Sequence, residues 1–94
     1  MTSDSVVYFD YAATCAIRPR NVIDAMTKFL TNNGCTPGRG GHCLAIDADR
    51  IALHCRQSLA AVLDIPGDTG RIAFFPNATY ALNTALNGLL RSGD

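Results

Sequence analysis

The stretch RIAFFPNATYALNTALNGLL, residues 71–90, decides the fold that this sequence predicts. Residues 72–75 are four consecutive apolar residues, a pattern typical of a strand that is covered on both faces, as in a parallel sheet. Pro76 and Asn77 form a turn signal, and an apolar helix is predicted over 78–90. Asn77 is a good N-cap, because its side-chain oxygen can accept a hydrogen bond from an N–H of the first helical turn.

The start of this predicted helix has the chemistry of an anion site. The N–H groups of Ala78, Thr79 and Tyr80 are expected to point out of the helix at the positive end of its dipole, beside the hydroxyl of Thr79. Small side chains let an anion approach closely, so the donors form a phosphate cradle in chemical terms. The residues alone leave the alternative open, which is an ordinary capped helix that binds nothing.

Two further helices are predicted from apolar residues that recur at helical spacing. The first covers about residues 20–32, follows Pro19 and ends before Gly34, for which a positive φ is expected. The second covers about residues 44–63. Its polar face carries Asp49, Arg50, Arg56 and Gln57. Residues 6–10 are β-prone and predict a short strand or an extended arm.

A glycine-rich loop, CTPGRGGH at residues 35–42, separates these two helices. It places one permanent cation, Arg39, and one titratable imidazole, His42, in reach of the same space. The alternative is a flexible surface loop without a ligand. A nucleotide fingerprint is excluded, because no strand precedes the loop and the spacing GxGxxG is not matched.

Composition excludes several classes of function. The chain has 94 residues, of which 48% are hydrophobic, and its formal net charge is zero, so no nucleic-acid partner is expected. No apolar run approaches the ~20 residues that span a bilayer, and no secretory signal is present, so a cytoplasmic protein without membrane contact is predicted. The four cysteines form no CxxC pair; we expect no metal site and reduced thiols, with Cys35 and Cys43 the more exposed.

The predicted elements do not make a self-sufficient sheet. The strand at 72–75 has at most one candidate partner, the region of Tyr8, and a two-stranded sheet is marginal in water. The chain therefore either self-associates or is a piece of a larger protein, and we expect the second. We divide residues 1–94, a single incomplete segment, into 1–43 with the arm, first helix and loop, and 44–94 as the start of a larger domain.

Three motifs resemble one enzyme family. YFDYAAT at 8–14, TPGRGGH at 36–42 and FFPNATYALN at 74–83 stand in the order and spacing of the cysteine desulfurases, class V aminotransferase-like pyridoxal-phosphate enzymes of fold type I. The resemblance covers the whole chain, which is similar to the N-terminal portion of the family. It implies an α/β fold, of which this segment is a mainly helical N-terminal fragment, with 44–94 as the start of the large cofactor-binding domain.

The resemblance also implies a cofactor site. Ala78 and Thr79 match the pair that binds the phosphate of pyridoxal 5'-phosphate through backbone N–H groups and the threonine hydroxyl, and Asn77 shapes the turn. Arg39 and His42 match the Arg-Gly-x-His loop, which in relatives lies by the active site, often that of the second subunit of a homodimer.

In the N-terminal motif, Ala13 and Thr14 match residues near the active-site mouth. Tyr11 stands where relatives more often have Asn or Ser.

The implied reaction converts L-cysteine to L-alanine and an enzyme-bound persulfide. The resemblance places its cofactor-linking lysine, aspartate, histidine and nucleophilic cysteine beyond the equivalent of Asp94, so no catalytic residue is expected in this segment. Lys28, the one lysine of the chain, does not match, and the segment alone is expected to be inactive. The alternatives are a class V aminotransferase, a selenocysteine lyase, or a non-catalytic helical dimerisation module.

Overall fold

Three α-helices dominate the computed structural model, which describes residues 7–94. They are α1, Arg20–Asn32; α2, Cys43–Val62; and α3, Ala78–Leu89, with a short 3-10 helix at Thr69–Arg71 before α3. These bounds agree within one residue with the helices predicted at 20–32, 44–63 and 78–90. Residues 1–6, which include the start of the predicted arm, lie outside the described residues, and residues 7–10 form no regular element.

The first compact unit of the chain ends at Ala48 and contains α1 and the start of α2. At the end of α1, the N–H groups of Asn33 and Gly34 both donate to the carbonyl of Phe29, at 2.9 and 3.0 Å. Gly34 has the predicted positive φ, at 64°. The side chain of Asn33 donates to the carbonyl of Leu44 at 2.8 Å, which ties the end of α1 to the first turn of α2.

The second compact unit, Asp49–Asp94, contains the rest of α2 and α3. Past the end of α2, the N–H of Ile65 donates to the carbonyl of Ala60 at 2.9 Å, while Asp64 takes the left-handed conformation with φ 51°. This is a Schellman-type helix end with aspartate at the position that glycine usually occupies. The carboxylate of Asp68 then accepts from the N–H of Gly70 at 2.8 Å and caps the 3-10 helix.

The strand predicted over 72–75 is not confirmed, because no strand occurs within residues 7–94. Ile72 has extended dihedrals, φ −109° and ψ 113°, as a strand residue would. A strand also needs a neighbour with which to exchange N–H and carbonyl groups. The region of Tyr8, the one candidate neighbour, forms no regular element either.

The cysteines are free in the described chain, as expected, but their exposure differs in part from the prediction. Cys43 is exposed as predicted, whereas Cys35 is half-buried and Cys55 is exposed. Of the helices that the structure describes, none combines the length and the apolar character that a bilayer crossing requires.

Candidate functional site

The start of α3 is organised by Asn77. Its side-chain oxygen accepts from the N–H of Tyr80 at 2.8 Å, and its carbonyl accepts from the N–H of Ala81 at 3.2 Å. Asn77 itself is extended, with φ −162° and ψ 168°. These are the bonds and the backbone conformation of a helix N-cap, so this part of the prediction is confirmed.

The same geometry corrects the number of free donors in the cradle. The N–H of Tyr80 is already bonded to Asn77 and does not point to a ligand. The N–H groups of Ala78 and Thr79 have no hydrogen-bond partner within residues 7–94, and both residues are exposed. The cradle therefore consists of two backbone donors and the hydroxyl of Thr79, at the positive end of a 12-residue helix.

An open groove of about 600 Å³ extends from this cradle along one face of α3. It is lined by Asn77, Thr79, Tyr80, Asn83, Thr84 and Asn87. Two of these side chains are engaged with the helix itself: the amide of Asn83 donates to the carbonyl of Thr79 at 3.0 Å, and the hydroxyl of Thr84 donates to the carbonyl of Tyr80 at 2.9 Å. The spacing of the asparagines and threonines could have indicated this polar face from the sequence.

The donors at the start of α3 fit a phosphate group. A phosphate offers several acceptor oxygens, and uncommitted N–H groups at a helix N-terminus together with a hydroxyl are a donor set suited to it. Ala78 presents only a methyl group and leaves room for the anion. None of the groove-lining residues carries a charge, so the groove can bind and orient a ligand but offers no ionised acid, base or lysine amine.

His42 lies in the first unit, immediately before α2. Its carbonyl accepts from the N–H of Ile46 at 3.1 Å, and its Nδ1 faces the N–H of Ala45 at 3.4 Å. A side chain at Gly40 would place its Cβ 3.0 Å from Nε2 of the imidazole, so the ring would have to shift to admit one. His42 therefore caps α2, a role that the sequence reasoning did not predict.

Arg39 lies three residues before His42 and is exposed. Its guanidinium has no hydrogen bond or ion pair with any residue of the range 7–94. A contact between this cation and a ligand therefore stays a prediction.

Ala13 and Thr14 are also exposed, in an irregular segment of the first unit. Near them, the rings of Tyr8 and Tyr11 meet edge to face with centroids 4.8 Å apart. The Tyr8 hydroxyl donates to the carbonyl of Asp10 at 2.6 Å. These contacts order the segment locally and do not engage Ala13 or Thr14.

Arg56 of α2 is a residue whose contacts the sequence reasoning missed. Its Nε donates to the carbonyl of Ile72 at 3.0 Å, and its guanidinium carbon lies 4.6 Å from the centroid of the Phe74 ring. In the sequence Arg56 belongs to the polar face of a helix, and no local signal distinguishes it from a solvated arginine. Within residues 7–94, no three histidine, cysteine or acidic side chains converge as a metal site would require.

Comparison with known proteins places these features in a family. The profile of the family Aminotransferase class-V matches residues 7–94. A probable cysteine desulfurase of Aeropyrum pernix is 32% identical over 94 residues, which are 95% of this chain and 22% of the relative.

Two further relatives carry similar names. Cysteine desulfurase IscS of Vibrio cholerae is 32% identical over 85 residues, covering 88% of this chain and 20% of the relative. A probable cysteine desulfurase of Methanothermobacter thermautotrophicus is 33% identical over 89 residues, covering 94% of this chain and 22% of the relative.

The chain thus spans about a fifth of the length of the curated relatives that it matches. No solved structure matches it significantly. The family profile covers nearly all of the sequence, including the capped start of α3 and the glycine-rich loop. The chain therefore belongs to the class-V aminotransferase family.

Proposed function

We propose that this chain is the phosphate-binding N-terminal part of a cytoplasmic, homodimeric, pyridoxal-phosphate-dependent cysteine desulfurase, which converts L-cysteine to L-alanine and an enzyme-bound persulfide. The observation that carries the proposal is the capped start of α3, where two N–H groups and a hydroxyl remain uncommitted. Membership of the family and the names of the relatives support this assignment.

Each residue of the cradle has a separate task in this proposal. Ala78 and Thr79 donate their N–H groups to phosphate oxygens, and Thr79 adds its hydroxyl. Asn77 keeps the first turn of α3 in place by holding the N–H of Tyr80 at 2.8 Å. Charge-assisted hydrogen bonds of this kind contribute about 1.5–3 kcal/mol each. When bound, pyridoxal phosphate supplies an electron sink that weakens bonds of the amino-acid substrate.

The loop residues act on the substrate in this proposal. Arg39 is exposed and can meet the carboxylate of an amino acid. Nδ1 of His42 faces the N–H of Ala45 at 3.4 Å, so Nε2 is the ring nitrogen that can donate to the same carboxylate. Ala13 and Thr14 line the entrance to the site.

The 94-residue chain by itself is inactive in this proposal. Lys28, the one lysine in the sequence, lies in the middle of α1 and does not match the position of the cofactor-linking lysine in the family that the chain resembles. After incubation with pyridoxal phosphate and borohydride, mass spectrometry of the chain should find no stoichiometric attachment at Lys28. Stoichiometric labelling there would contradict the proposal.

The cradle is tested by Thr79→Ala in the full-length protein that contains this segment. Loss of the hydroxyl should raise the dissociation constant of pyridoxal phosphate about tenfold, measured by equilibrium dialysis. Thr31→Ala is the matched control, because it also removes a threonine hydroxyl, but one that is not part of the cradle. The hydroxyl of Thr31 in α1 donates to the carbonyl of Thr27. Equal cofactor retention by the Thr79 variant and the wild type would refute the assignment.

The family profile also supports a second candidate, a class V aminotransferase or a selenocysteine lyase, because the matching family is described as Aminotransferase class-V. The phosphate cradle would serve these reactions equally well. Product analysis in the presence of excess thiol, which reduces the persulfide and releases its outer sulfur, separates them. Sulfide and alanine from L-cysteine indicate a desulfurase, and selenide and alanine from L-selenocysteine alone indicate a lyase. A keto acid from an amino acid indicates an aminotransferase.

A further inference from the structure

Arg56 makes the side-chain contacts that connect α2 to the segment before the cradle. Its Nε donates to the carbonyl of Ile72 at 3.0 Å, and its guanidinium carbon lies over the ring of Phe74, 4.6 Å from the centroid. The residue is half-buried, as is Ile72. A planar guanidinium can make both contacts at once, because its edge carries the donors and its face stacks on the ring.

The segment that Arg56 holds makes few other backbone hydrogen bonds. Residues 72–75 form no ladder, and the N–H of Ile72 bonds only to the preceding 3-10 helix, at the carbonyl of Thr69. The contacts of Arg56 therefore tie residues 72–75 to α2 in the described part of the unit. They do so from a helix that is far away in sequence.

The same segment leads directly into the start of α3. Phe75 lies against the ring of Tyr80, with centroids 5.7 Å apart, and Asn77 bonds the N–H of Tyr80. A shift of residues 72–75 would therefore move the cap and change the direction of the two free N–H groups. Hydrogen bonds weaken steeply when donor and acceptor are misaligned.

We infer that Arg56 is a positioning residue for the phosphate cradle at Ala78 and Thr79. It touches no ligand; it aligns the donors by holding the Ile72 carbonyl and the Phe74 ring. This inference rests on the proposed function, since it requires a phosphate-bearing ligand at the start of α3.

The test compares two ligands, pyridoxal 5'-phosphate and pyridoxal, which lacks the phosphate. Their dissociation constants are measured for the full-length protein that contains this segment. The dissociation constant of pyridoxal divided by that of pyridoxal 5'-phosphate reports the contribution of the phosphate. In Arg56→Gln this ratio should fall about tenfold, the loss expected when a charge-assisted bond is misaligned. Phe74→Leu, which removes the stacked ring but keeps an apolar side chain, should lower the ratio by a smaller factor.

Arg71→Gln is the matched control. Arg71 lies next to the same segment, is exposed, and its guanidinium has no partner within residues 7–94. Its substitution should leave the ratio unchanged. If Arg56→Gln does not fold, the same ratio is measured for Arg56→Lys and Phe74→Leu. The ratio for Arg56→Lys should also be lower than that of the wild type, because a point charge replaces the planar donor.

The outcomes separate this inference from the proposed function. A wild type without preference for the phosphorylated ligand overturns both. A wild type with that preference, and Arg56 variants that keep it, overturns only the role of Arg56. A lowered melting temperature with an unchanged ratio also overturns that role, because it shows a purely structural contact.

Discussion

A single residue, Asn77, links helix formation to the candidate ligand site. Its side chain satisfies the N–H of Tyr80, and this choice leaves the N–H groups of Ala78 and Thr79 for a ligand. The sequence predicts the cap because the preference for asparagine at this position is local. The sequence does not specify which N–H the cap uses, since asparagine at an N-cap can bond to the second or the third residue of the helix.

Substitutions of Asn77 should separate helix stability from ligand affinity. Asn77→Ala loses the cap and should cost about 1 kcal/mol of unfolding free energy, measured by urea titration of the full-length protein. Asn77→Asp keeps the cap and gains about 0.3–1 kcal/mol from the helix dipole, yet its carboxylate repels a phosphate. Its dissociation constant for pyridoxal phosphate should therefore rise while its stability does not fall.

Asn77→Ser isolates the effect of the charge in this series, because serine also caps a helix but is neutral. Its stability should stay within about 0.5 kcal/mol of the wild type. An Asn77→Asp variant that binds pyridoxal phosphate as tightly as the wild type would show that the phosphate is not held at the start of α3.

The helices could be predicted from sequence because their signals are local. Apolar spacing, Pro19 before α1, Gly34 after it and Asn77 before α3 each report on a few neighbouring residues. The strand at 72–75 and the contacts of Arg56 depend on residues distant in sequence, and no local pattern encodes them. The number of free donors in the cradle was not predicted for a different, local reason, because an asparagine N-cap can bond either of two N–H groups.

Substitution by alanine at two glycines, one at the end of α1 and one inside α3, should change the free energy of unfolding in opposite directions. Gly34 has φ 64°, where an L-residue is strained, and the new Cβ would lie 3.7 Å from the Leu30 carbonyl, an ordinary contact. Gly34→Ala should therefore cost about 1–2 kcal/mol through backbone strain alone. Gly88 lies inside α3 with nothing within 4 Å of an added Cβ, so Gly88→Ala should gain about 0.5–1 kcal/mol.

Urea unfolding of the full-length protein measures both effects, and each variant serves as the control for the other. A loss of stability in Gly88→Ala would mean that another part of the protein packs closely on α3 at this point. Unchanged stability in Gly34→Ala would mean that α1 does not end in the left-handed conformation.

At the scale of the molecule, the described residues bury very little apolar surface. Ala45 and Ala48 are the buried hydrophobic residues among them. In contrast, Met26 and Leu30 of α1 are 60% and 72% exposed, and Leu82 of α3 is 62% exposed. Ordering a residue costs about 1–2 kcal/mol of backbone entropy, which buried apolar area normally offsets. Two alanines do not supply that area.

We expect the 94-residue chain alone to lack a cooperative unfolding transition. Calorimetry should show a broad transition or none, and a dye such as ANS should bind to the exposed apolar residues. The full-length protein, measured in the same buffer, should melt cooperatively and bind little dye. A sharp transition of a monomeric 94-residue chain would contradict this and would favour a self-sufficient helical module.

Asp64 has a consequence for how the family can diverge in sequence. Its φ of 51° terminates α2 in a conformation that glycine, asparagine and aspartate adopt at low cost and branched side chains do not. Neutral drift at this site should therefore be confined to those three residues. A helix that ends in the left-handed conformation should thus accept few residue types at this position in the course of evolution.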